Sequence, residues 1–360
     1  MTLPLIDADT HVIEDDHCWE TMTGADAAHR PVAVTAGKGA GRADNFLAKG
    51  FTGKAMPGGG VTFWLIDGQL YPRGGQMLID YPDGARDLRN PKLRIAAMDA
   101  LGIDRQVIYS SLFSTLRTKN PAVELAIARG YNRWLAGVSA ASGGRFQWVA
   151  IPSAQNIAAS VADLDEWIRL GACGVALRGF EGEETLDQPE FFPLYKRASD
   201  LGLPLCIHIG HASKGWGNIL GAGNALGLLV PNLVSFMGLI FSDVAAKFPD
   251  LKIGFIESGA AWLPFVLSRA ARFAARYGVA PQAERLLSEK RLFVTCEFHE
   301  DIAGIAKVVG DDCLMIGTDY GHSDTSTELN APVLLEARDD LPAALRRKIV
   351  RENPGAFYRA

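Results

Sequence analysis

Apolar and polar positions along this chain fall into two alternating rhythms from about residue 91 onward. Short, nearly continuous apolar runs, the signature of strands buried on both faces, alternate with longer stretches of helical period. "DRQVIYSS", "RFQWVAI", "CGVALR", "LPLCIHIG", "LKIGFIESG", "RLFVTCEF" and "CLMIGTD" are the strand-like runs. Between them lie amphipathic segments such as "PAVELAIARGYNRWLAGVSAAS", "SVADLDEWIRLG", "EFFPLYKRASDLG" and "DIAGIAKVVG". "PKLRIAAMDALG" opens with proline and stops at glycine, as a helix does. With "LIDADTH" at the start, the pattern predicts eight strands near 5–11, 105–110, 146–151, 173–178, 204–209, 252–257, 292–297 and 313–318. Eight β/α units in 360 residues fit a (β/α)8 TIM barrel. The competing open doubly wound sheet has no G-x-G-x-x-G after a strand to support it.

Residues 12–90 break the alternation. They hold "GKGAGRADNF", "MPGGG" and a hairpin pattern, "VTFWLIDGQLYP", with Asp67–Gly68 as its turn. This stretch reads as an insertion after the first strand, a lid or an interface within one barrel domain spanning 1–360. "VSFMGLIFSDVAAKFP" predicts a helix stopped by Pro249, within a longer apolar run, "GLLVPNLVSFMGLIF", that is interrupted at Pro231 and Asn232. It exceeds what one helix needs to bury and points to a subunit interface, in a homo-oligomer or with a paralogue.

Composition narrows the function classes. A net charge of −5 without a Lys/Arg cluster argues against nucleic acid and anionic membranes as partners. No apolar run reaches the ~18 residues of a membrane span. No charged n-region followed by an apolar stretch marks a signal peptide. Five widely spaced cysteines read as reduced, buried thiols, so the expected location is cytoplasmic.

The chemistry gathers where strands end. Asp9 and His11 stand two residues apart on strand one, His208 ends strand five with His211 just beyond, and Glu257 ends strand six. Asp319 follows strand eight, with His322 three residues later. In a barrel these ends meet at one rim, where barrel enzymes keep their active sites. Neighbouring strand residues of one face lie ~7 Å apart, so imidazoles and carboxylates from four strands can converge on one divalent ion with N and O ligands. Each residue taken alone has a plainer reading: a hydrogen-bonded histidine, or an aspartate capping a turn. The coincidence of four strand ends carries the metal expectation.

"IDADTHVIE", "CIHIGH", "FPDLKIGFIESG", "IGTDYGHSD" and the closing "ENPGAFY" resemble the amidohydrolase-related group that includes aminocarboxymuconate semialdehyde decarboxylase and benzoate-type decarboxylases. The resemblance runs over most of the chain. It implies a (β/α)8 barrel holding zinc or manganese through Asp9, His11, His208 and Asp319. Two positions depart from the family pattern: Asp9 replaces the first histidine of an H-x-H motif, and Glu257 stands where the decarboxylases often carry a catalytic histidine. Three carboxylates with one dication leave the site near −1, and hard oxygen ligands favour manganese or iron.

The resulting expectation is a hydrolase or non-oxidative decarboxylase acting on a small carboxylate or amide. Glu257 serves as its base or as a ligand, and His211 as a second catalytic group. Arg178 and Trp216 are the expected substrate contacts. One zinc, manganese or iron ion is expected, or two if Glu14, His211 and His322 supply further ligands. The two-ion alternative is an oxygen-activating hydroxylase with a reductase partner, similar to a subgroup of this barrel family; a further alternative is a catalytically silent accessory subunit of one, keeping the fold and at most one metal.

Overall fold

The computed structural model describes residues 3–36, 61–73, 79, 81–211, 213, 215–216, 226–323 and 326–359. The glycine-rich stretches at 37–46 and 56–60 lie outside them. Eight parallel strands form the barrel: β1 (Ile6–Val12), β2 (Arg105–Ser110), β3 (Phe146–Ala150), β4 (Ala172–Glu181), β5 (Leu205–His211), β6 (Ile253–Ile256), β7 (Leu292–Cys296) and β8 (Leu314–Ile316). Each pairs with the next in chain order. The ring closes just past β8, where Asp319 N–H donates to Asp9 O at 3.0 Å and His11 N–H to Tyr320 O at 2.6 Å.

The helices lie between these strands, as parallel crossovers require. Asn120 and Asn156 cap the helices Pro121–Ala140 and Ile157–Arg169 by accepting from backbone N–H groups at 3.1 Å each. The helix expected over "VSFMGLIFSDVAAKFP" differs in its bounds: it begins at Val230, with Pro231 in the first turn of Val230–Phe241, where no intrahelical N–H is needed. That helix ends at Ser242, and a separate turn, Val244–Lys247, completes the segment before Pro249.

The chain terminus closes the far end of the barrel. Asn353 donates to Asp311 O and Leu314 O, Tyr358 donates to Ala8 O at 2.6 Å, and the Phe357 ring fills the space over Gly254. "ENPGAFY" is thus a plug beneath the strands.

Within 12–90, the strands Val32–Ala36, Val61–Ile66 and Gln69–Pro72 form an antiparallel sheet. The Asp67–Gly68 turn has φ of 50° and 71°, as a two-residue hairpin demands. Trp64, Ile66 and Tyr71 join the same buried core as the barrel strands. Asp67 accepts a 2.8 Å hydrogen bond from Thr118, and Tyr81 and Arg86 donate to the carbonyls of His322 and Gly321. These contacts hold the segment at the mouth formed by the C-terminal strand ends. Among the described residues, no helix is long and apolar enough to cross a membrane. All five cysteines are free and buried.

The β8–β1 seam is one of the close approaches near that mouth. A Cβ on Gly317 would lie 2.4 Å from Asp9 Cβ and 2.8 Å from Asp9 N. Gly317→Ala is therefore expected to push β8 off β1 and cost about 1–3 kcal/mol, the usual range for overpacking. A lower denaturation midpoint together with weaker metal retention would register it; an unchanged midpoint would contradict the close approach.

Candidate metal centre

Six side chains meet at the C-terminal mouth: Asp9 and His11 from β1, His208 from β5, Glu257 after β6, and Asp319 and His322 after β8. His11 is the hub. Its Nε2 lies 3.1 Å from His208 Nε2, 3.2 Å from Glu257 Oε2, 3.5 Å from Asp9 Oδ1 and 3.6 Å from Asp319 Oδ1. His208 Nε2 is 3.0 Å from Glu257 Oε2 and 3.5 Å from Asp9 Oδ1. The ligand atoms form two overlapping groups: Asp9, His11, His208 and Glu257, then His11, Glu257, Asp319 and His322.

Local structure aims them. Glu257 and Asp319 both adopt left-handed backbone, with φ of 57° and 53°, which is strained for residues with a Cβ. Their geometry is held from behind. Thr295 Oγ1 accepts the Glu257 N–H at 2.7 Å. Asp7 accepts from the Thr318 N–H at 2.8 Å and from its hydroxyl at 2.6 Å, fixing the residue before Asp319. Arg94, fully buried, donates to His11 O at 2.6 Å and to Gln106, which in turn reaches Asp7. Asp7 thus supports the centre without entering it.

The donor set fits a divalent cation. Asp9 Oδ1, Glu257 Oε2 and Asp319 Oδ1 are buried with no well-aligned hydrogen-bond donor, their near neighbours being the ring nitrogens of His11, His208 and His322. Such atoms are costly unless something else compensates them. His208 Nδ1 lies 3.0 Å from Ile209 O, and a carbonyl only accepts, so Nδ1 carries the proton and Nε2 offers a lone pair. Two Nε2 atoms each ~2.1 Å from one ion, at roughly a right angle, would be separated by about 3 Å. The observed 3.1 Å matches. Without a cation the same groups fall back on protons. Burial opposes a charged His11, but Asp9 and Glu257 outweigh it and raise its pKa to about 9.

Other predicted residues stand apart from the cluster. Glu14 is buried beside it and accepts from Ser110 Oγ and from Leu112 N–H at 3.1 Å, stabilising the turn Leu112–Ser114. His211 donates from Nδ1 to Ser213 O at 2.9 Å, and burial, then Arg117, pushes its pKa down to about 4. Trp216 packs edge-on against Phe180 and donates to Gly227 O at 3.1 Å. Arg178 is buried and occupied: Glu181 lies at 2.5 Å, Glu124 at 3.8 Å, and the carbonyls of Phe113 and Leu116 accept from it. His322 does join the cluster. Its Nδ1 is 2.7 Å from Asp319 Oδ1, its Nε2 is 2.9 Å from Ser111 Oγ, and its ring stacks on His11 at 3.9 Å.

Sequence reasoning missed Arg117. It follows the turn after β2, lies close enough to His211 to depress it, and makes no ion pair among the described residues. Its Nε is buried without a hydrogen-bond partner, and burial lowers its pKa. No periodicity marks it; only the surrounding fold shows which arginine is left unpaired.

The family model described as Amidohydrolase matches residues 6–360. The chain belongs to the amidohydrolase family, and it is an enzyme of that family. Among its relatives is the 2-amino-3-carboxymuconate-6-semialdehyde decarboxylase of Dictyostelium discoideum, 23% identical over 244 residues. That match covers 64% of this chain and 66% of the relative, just under two thirds of its length. An amidohydrolase from Mycobacterium avium subsp. paratuberculosis K-10 has the same fold at a TM-score of 0.75, with 18% identity over 99% of both chains. A 5-carboxyvanillate decarboxylase from Novosphingobium aromaticivorans, solved with manganese and a nitrobenzoic acid, matches at 0.61 with 22% identity. Its match covers 73% of this chain and 78% of that one.

Proposed function

We propose that this amidohydrolase is a metal-dependent non-oxidative decarboxylase or hydrolase of a small carboxylate or amide. The observation that carries the reading is the trio of buried carboxylate oxygens, without a well-aligned donor, on Asp9, Glu257 and Asp319, facing the Nε2 atoms of His11 and His208. Manganese in the Novosphingobium decarboxylase and the decarboxylase name of the Dictyostelium relative support it.

In this reading Asp9, His11, His208 and Asp319 hold one zinc or manganese ion. When bound, such an ion polarises a substrate oxygen and acidifies a water at the site. Glu257, whose carboxylate lies within 3.2 Å of both imidazoles, would hold or move the proton there. His322, braced by Ser111, keeps Asp319 oriented. His211 stays neutral near neutral pH, with Nε2 as an acceptor beside the mouth. The second grouping, His11 with Glu257, Asp319 and His322, is what a second ion would use; the oxygenase alternative rests on it alone.

The substrate-anchoring role passes from Arg178, whose guanidinium is already filled, to Arg117. A charge-assisted hydrogen bond contributes about 1.5–3 kcal/mol, so Arg117→Ala is expected to raise KM about 10- to 100-fold with a smaller change in kcat. An unchanged KM would return Arg117 to a structural role. The reaction class is tested by offering zinc- and manganese-loaded protein a panel of aromatic and muconate carboxylates and amides. Release of CO2, or of amine and acid, supports the reading; turnover only with O2 and a reductant would replace it by oxygenation.

A further inference from the structure

A cavity of about 210 Å³ opens from the centre toward the β6–β8 side. Since a cavity of roughly 150 Å³ accepts benzene, this one has room for a small substituted ring. Asp9, Glu257 and Asp319 form its floor, and Glu297, Phe298 and Glu328 contribute to its wall.

Its polar lining is short of donors. Ser326 and Thr327 donate to Asp319 Oδ2 at 3.0 and 2.8 Å, so their hydroxyl protons are committed. The Thr295 hydroxyl points its proton at Phe255 O. His299 Nε2 lies 3.1 Å from Glu297 Oε2. Among the described lining residues there is no lysine or arginine. One dication balances two of the three floor carboxylates, and Glu297 and Glu328 add two more negative charges to the lining. A carboxylate entering this side would meet like charge and, among the described lining residues, hydroxyl donors already committed elsewhere, whereas an ammonium or amide N–H would find carboxylate acceptors.

We infer that the substrate presents a neutral or cationic hydrogen-bond donor, an ammonium or amide group, to the β6–β8 side of the site. This rests on the metal-site reading above, with the reacting carboxylate or carbonyl at the ion. It adds the side of the site on which the substrate's donor lies, the β6–β8 side.

Three probes with one ring test it by calorimetric titration of the manganese-loaded protein: 4-(aminomethyl)benzoate, 4-methylbenzoate and terephthalate. The ammonium probe is expected to bind about tenfold tighter than the methyl probe, an increment typical of a partly buried ion pair, with terephthalate the weakest. In Glu297→Gln/Glu328→Gln that preference should fall about fivefold or more. If the double variant does not fold, Glu328→Gln alone, at a half-buried position outside the helices and strands, serves with a smaller expected loss. Terephthalate binding as tightly as the ammonium probe, no binding of the ammonium probe, or an undiminished preference in the variant would each overturn the inference. Metal content measured on the same samples separates the two levels, because a protein that takes up no ion fails the metal-site reading itself.

Discussion

Replacing His11 with alanine is expected to empty the metal centre and lower activity by about 10³-fold or more. Its Nε2 belongs to both ligand groups and lies within 3.6 Å of Asp9, His208, Glu257 and Asp319. Glu257 is the other side chain shared by both groups, and it lies against the His11 ring nitrogen at 3.2 Å. Lewis-acid assistance contributes several kcal/mol to a barrier, and each ~1.4 kcal/mol is tenfold in rate. The variant should also lose stability in the metal-free state, because three buried carboxylates would lose the imidazole that compensates them. Leaving such charges unpaired costs about 3–5 kcal/mol. Elemental analysis, thermal melts and turnover on the same preparation check all three effects. Full metal occupancy in the variant would show that the hub lies elsewhere.

The second large effect is a reversal of pH dependence by the metal. In the metal-free protein, His11 is raised from 6.5 to about 9: burial works against the charged ring, but Asp9 and Glu257 prevail. A group raised on folding contributes stability that is complete below its unfolded pKa and disappears as pH climbs through its folded one. That stability, on the order of 3 kcal/mol, should be lost between about pH 6.5 and 9. Asp7 acts in the same direction at lower pH. Burial raises it from 3.8 to about 7 despite hydrogen bonds from Thr318 and Gln106, so its share is lost between those values. Metal binding needs unprotonated imidazoles and therefore tightens as pH rises. Chelator-treated protein should melt at lower temperature at pH 9 than at 6.5, while protein in fixed excess zinc should hold or gain. Parallel slopes in both would argue that no ion competes with protons at His11.

Much of the barrel is legible in the sequence because its strands are buried on both faces. Near-continuous apolar runs such as "LCIHI" and "IGFI" leave few other structures open, and the strand positions agree closely with those observed. The converging centre is legible for a related reason: a parallel barrel places every strand's C-terminal end at one rim, so Asp9 and His208 meet although they stand 199 positions apart. Side-chain partners are another matter. Asp7, Asp9 and His11 alternate as ligands on one face should, yet an irregularity in the pairing between Asp7 and Thr10 accompanies the diversion of Asp7 to Thr318. A second irregularity between Arg178 and Phe180 accompanies the contact of Arg178 with Glu181, three residues on, which a regular strand would hold on the opposite face. With Arg178 neutralised there and by Glu124 on a helix, Arg117 remains as a half-buried cation near the mouth with no ion pair among the described residues. Neither strand irregularities nor long-range pairing of this kind leaves a periodic mark, and Glu14 was ambiguous for the same reason.

The most direct test is crystallographic: anomalous difference density from manganese-loaded crystals, collected on both sides of a manganese absorption change or matched against zinc. The account predicts a peak of one ion among Asp9 Oδ1, His11 Nε2, His208 Nε2 and the facing carboxylates, at coordination distance from both imidazoles. Fully loaded crystals with no peak there, and the two imidazoles instead hydrogen-bonded to the carboxylates, would contradict it.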